Sequence, residues 1–125
     1  MNDIEDRLKK IDIENYIWVI YIGIIILSWY ANSKEKKYLI YNDLKSRKEY
    51  QNLMIFIFTI LLIVYYYFTK DSYNDIKGLS EEDSIKKKNL TYISFIGSLL
   101  ILISGILFLF IAIVDDNIDT EIAFN

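Results

Sequence analysis

Four groups of side chains in this chain have types and spacings that chemistry can use. Ser94, Ser98 and Ser104 are hydroxyls inside an apolar stretch, Glu81/Glu82 and Asp115/Asp116 are adjacent carboxylates, and Lys86, Lys87 and Lys88 form a cationic run. The fourth group alternates near the end as Asp115, Asn117, Asp119 and Glu121. A nucleophilic serine needs a base in hydrogen-bond reach. The chain has no histidine, and no Asp, Glu, Lys or Arg lies anywhere between residues 90 and 114. The hydroxyls therefore read as helix-packing and hydrogen-bonding groups. The carboxylate pairs read as a helix start and a solvated tail, where acids complement the helix dipole or simply face water. The alternating tail fits the first three ligand positions of a calcium loop, but Thr120 stands where that loop requires glycine. Metal and cofactor sites are not expected. With no cysteine, disulfides, thiolate nucleophiles and cysteine metal sites are excluded as well. An enzyme is not expected.

The elements that carry these groups are set by where the apolar residues lie. They make up 54% of the 125 residues and gather into three runs, Tyr16 to Ala31, Leu53 to Thr69 and Leu90 to Val114, none holding a charge. A membrane-spanning helix takes about 20 apolar residues. The third run exceeds that length, the second just reaches the lower end of the range, and Ile13 extends the first upstream. Of the third run's 25 residues, 17 are Leu, Ile, Val or Phe, and each favours insertion by about 0.3–0.6 kcal/mol. A soluble helix keeps a polar face. These runs are apolar all round. Trp18, Trp29, Tyr30 and the triplet Tyr65-Tyr66-Tyr67 stand near run ends, where amphipathic rings favour the headgroup level. The expectation is an all-α, small polytopic membrane protein, with three transmembrane helices in a bundle and the third extending beyond the bilayer.

The segments between the runs complete a single membrane domain over 1–125. Residues 1–15 read as an amphipathic N-tail, in which Ile4, Leu8 and Ile11 recur on one face and suit an interfacial helix. Residues 16–31 and 53–69 are the first and second spans, joined by a basic loop or helix over 32–52. A turn is expected at 70–80. Ser80 followed by Glu81, Glu82 and Asp83 reads as a helix start, giving a helix over 81–114 and an acidic C-tail over 115–125. The acidic N-tail and the absence of a small-x-small site before residue 32 argue against a cleaved signal peptide. Three spans place the two tails on opposite sides. The three lysines before the third run, with no base after it, favour the N-terminus inside and the C-terminus outside. Twenty-five isoleucines with abundant Lys, Asn and Tyr match an AT-rich genome, so a bacterial plasma membrane is the expected location.

One pattern points to how the spans associate. At 100° per residue, Ser94, Gly97, Ser98, Ser104, Gly105 and Ala112 fall with Thr91 within an arc of about 140°. Lipid gives helices little hydrophobic drive to associate, so small residues and hydroxyls mark where backbones approach. This arc is the expected helix-packing face. It would serve the other spans, a second copy or another membrane protein. The expected partners are the lipid bilayer and such a protein; a net charge of −3 gives no case for nucleic acid. The functional reading is a non-enzymatic interaction protein, an accessory subunit or immunity type, with a holin-like or other pore-forming oligomer as the alternative. Three spans in about this length is also the format of class I phage holins and of small bacteriocin-immunity proteins, a likeness of architecture alone.

Overall fold

The structure, a computed structural model, describes residues 2–122. Among these residues it contains three α-helices and no strand: α1 (Asn2–Tyr41), α2 (Leu44–Lys77) and α3 (Ile85–Val114). Each is long and apolar enough to cross a membrane. The helices outrun the apolar runs that seed them. With no proline anywhere and no glycine before Gly23, nothing interrupts the hydrogen-bond ladder of α1 upstream of its span. Residues 2–15 are thus the opening turns of α1 itself, which corrects the expectation of a separate interfacial helix. At 1.5 Å per residue, α1 is about 60 Å long, twice the thickness of a hydrocarbon core.

Contacts divide the chain into two compact units, Met1–Leu53 and Met54–Asn125, with α2 continuous through the boundary. In the first unit the expected loop over 32–52 is a helical hairpin whose break is two residues long. Asn42 takes φ 53°, the left-handed conformation that Asn tolerates better than most residues. Its N–H donates to Tyr38 O at 2.7 Å, closing the end of α1. Asp43 then opens α2. Its carboxylate accepts from the Ser46 hydroxyl at 2.8 Å and from Lys45 N–H at 3.2 Å. Ser46's hydrogen bond, helped by Lys45 N–H and the nearby Lys37, holds the Asp43 carboxyl below its ordinary value. Across the hairpin, Lys34 Nζ meets Glu49 at 2.9 Å, and this bond raises the lysine above its ordinary value. Ala31, Ser46, Tyr50 and Gln51 are buried.

In the second unit, α2 and α3 form an antiparallel hairpin. Helix α2 continues to Lys77, through most of the segment expected to be a turn; the first residue able to end it is Gly78. The break runs over 78–84, and its polar groups are closed locally. Ser80 N–H donates to an Asp83 oxygen at 2.8 Å, and Lys87 Nζ donates to the other at 3.1 Å. These bonds, Ser80's first, hold the Asp83 carboxyl below its ordinary value. The N-cap of α3 is Ser84, whose hydroxyl accepts from Lys87 N–H at 3.0 Å. The expected start at Ser80 is therefore one turn too early. Two serines four residues apart compete for the cap, and Ser80 with Asp83 makes the turn that delivers Ser84 to it. After Val114, the Asp115 carboxylate accepts from Asp119 N–H at 3.0 Å and Thr120 N–H at 2.7 Å. It ties up the tail in a local turn. Of the expected C-tail, residues 123–125 lie outside the described residues, as does Met1 of the N-tail.

Candidate helix-packing face

Helix α2 is the most enclosed of the three, with 33% of its most apolar stretch buried against 11% for α1 and for α3. In the second unit its buried stripe is Met54, Ile57, Phe58, Leu61, Val64, Thr69 and Ser72. The contacts of α3 with α2 run antiparallel. Phe58 meets Phe108 with ring centroids 5.6 Å apart, and Tyr73 meets Phe95 at 5.8 Å. Between these aromatic pairs lies a closely approached and partly polar middle.

Gly105 is buried there. A Cβ on it would stand 3.0 Å from Tyr65 Cδ2 and 3.7 Å from Leu62 Cδ2, so the absence of a side chain is what lets the Tyr65 ring lie against α3. One turn pair along, the Thr69 hydroxyl lies 2.8 Å from Tyr65 O on its own helix and 3.1 Å from Ser98 O on the other. Ser98 Oγ donates to Ser94 O at 3.0 Å. The Ser72 and Ser98 hydroxyls lie 3.1 Å apart, one hydrogen bond across the seam. No fully buried side-chain oxygen or nitrogen among the described residues lacks a partner. This three-hydroxyl layer links α2 to α3, Thr69 and Ser72 of one helix meeting Ser98 of the other.

The face expected from sequence is divided by the structure. Ser98, Gly105 and Ala112, spaced seven apart, lie on the enclosed stripe. Ser104 is half-buried and returns its hydroxyl to Ile101 O at 2.8 Å on its own helix. Gly97 is exposed, and nothing lies within 4 Å of where its Cβ would be. Ser94 is exposed too, and lines an open groove of about 470 Å³ with Ser84, Lys86, Lys87 and Leu90. One line of covered positions on α3 is Thr91, Phe95, Ser98, Leu102, Gly105, Leu109 and Ala112, alternating steps of four and three, with Phe108 covered beside it. By the 100° rule this line is turned from the arc of small residues toward Phe95 and Leu102. Large residues alternate with small ones on it, so a search for small residues alone misses Phe95, Leu102 and Leu109. Thr69 and Ser72 were also missed. Ser72 lay in the expected turn, and only the continuation of α2 brings it to the seam.

Comparison with known protein families, with curated proteins and with solved structures finds no match to this chain.

Proposed function

We propose that this chain is a three-pass integral protein of a bacterial plasma membrane, with the N-terminus inside and the C-terminus outside, acting as a non-enzymatic interaction protein of the accessory-subunit or immunity type. The observation that carries this reading is the disposition of the hydroxyls and of the apolar surface. Of the hydroxyls Ser94, Ser98 and Ser104, the last two donate to backbone carbonyls, and no carboxylate, lysine or arginine that could serve any of them as a base lies in the three apolar runs. The hydroxyl layer faces inward between α2 and α3, so it offers no wet stripe for a pore lining. Outward, α1 and α3 present large apolar side chains, Trp18, Ile22, Ile25 and Trp29 on one, Leu100, Leu107 and Phe110 on the other. Such surfaces suit lipid or another membrane helix. Because the stripe of Ser98 and Gly105 is occupied by α2, interaction in this reading uses those outward faces.

The test is reconstitution of the full chain into dye-loaded liposomes. The expected result is a protein that resists alkaline carbonate extraction and leaves the dye inside. Rapid dye release would overturn the reading in favour of a pore-forming oligomer. Extraction by carbonate would remove the membrane assignment itself.

A further inference from the structure

We infer that the N-terminal turns of α1 are a self-association stripe, and that their partner is the same stripe on another copy of this chain. The inference rests on residues 16–31 spanning the membrane, as proposed above. Helix α1 is unbroken from Asn2, so residues 2–12 cannot lie flat on the bilayer. They leave it along the helix axis, as about 16 Å of helix. On this stretch Ile4, Leu8 and Ile11 are respectively 64%, 57% and 49% exposed. Their spacing of four and three continues through Asn15, Trp18, Ile22, Ile25 and Trp29, all exposed.

That is a heptad stripe, with Leu8 and Asn15 at a and Ile4 and Ile11 at d. It is distinct from the buried stripe of the same helix, Ile17, Ile24 and Ala31. Within lipid the outer stripe gains little by pairing. In water, three large apolar side chains on one line do gain, and lipid cannot cover them. Charge selects the occupant. In this lettering Arg7 is at g and Asp12 at e, the two positions that pair between parallel helices. Copies of one membrane protein insert with one orientation, so their α1 helices are necessarily parallel, and Arg7 of each copy comes opposite Asp12 of the other. A lone Asn at an a position fixes register in such assemblies. Leu at a with Ile at d favours more than two strands, so one further copy is the minimum.

The chain has no cysteine, which makes single-cysteine oxidation in proteoliposomes at low protein density a clean test. Leu8→Cys and Ile11→Cys are expected to form disulfide-linked dimers, while Lys9→Cys and Ile13→Cys, on other faces, are not. Arg7→Glu should reduce the Leu8→Cys crosslink several-fold, and adding Asp12→Arg should restore it. Equal crosslinking at residues 8, 9, 11 and 13, or none at 8 and 11 in a carbonate-resistant chain, overturns the pairing while leaving the membrane reading intact. A carbonate-extracted chain instead refutes the membrane reading and this inference with it.

Discussion

Two glycines in one helix make a controlled experiment on what holds α2 to α3. Gly97 and Gly105 sit eight residues apart in the interior of α3, and replacing either by Leu removes the same helix penalty, about 0.8–1 kcal/mol. What differs is the space. A Cβ at position 105 already meets Tyr65 at 3.0 and 3.3 Å, whereas at 97 nothing lies within 4 Å. Gly105→Ala requires the Tyr65 ring to give by a few tenths of an ångström, a small cost that the helix gain largely offsets. Gly105→Leu adds three further carbons where Leu62 also stands, and overpacking of that kind costs about 1–3 kcal/mol. The helix term cancels between the two leucine variants, so their difference in unfolding free energy is expected to be about 1–3 kcal/mol, with Gly105→Leu the less stable. The assay is equilibrium unfolding in mixed micelles followed by helical circular dichroism. Leu100→Ala and Leu107→Ala, both largely exposed, should change little. Equal stability of the two leucine variants, or greater loss at Gly97, would refute the assignment of the seam.

Asn42 holds its left-handed conformation at the tip of the first hairpin, so Asn42→Gly should be tolerated, while Asn42→Val should cost about 1–2 kcal/mol, read as a lower thermal midpoint in detergent. The Asp83 carboxyl is held below its ordinary 3.8 by Ser80 N–H and then by Lys87. Since the folded value is the lower one, its contribution is present above the unfolded value and is lost as pH falls through the folded value. A carbon-13 titration of the Asp83 carboxyl should therefore give a midpoint below 3.8, and Lys87→Met should move it up; a midpoint at or above 3.8 in the parent chain contradicts the turn geometry. Reporter fusions at the two ends should be active in opposite compartments, because three spans are an odd number. Activity of both in one compartment would remove a span.

Sequence by itself determined the class of object and where its three helices lie. The three uncharged runs leave no polar face for water, and an unbroken backbone in lipid must satisfy its own hydrogen bonds, so each run is a helix. That argument is local and needs no neighbour. Sequence also placed Ser98, Gly105 and Ala112 on one line, because seven residues are nearly two helical turns. Helix ends were not legible in the same way. Apolar runs mark what favours lipid, but a helix stops only at a breaker or a satisfied cap, so α1 runs back to Asn2 and α2 on to Lys77. Ser80 and Ser84 are equally good caps by composition, and only the Ser80–Asp83 hydrogen bond chooses between them. Tertiary structure also decided which side of α3 is covered. A small residue permits close approach without compelling it: Gly97 stands open and Gly105 carries Tyr65, a difference set by where the rings and hydroxyls of α2 fall across the hairpin.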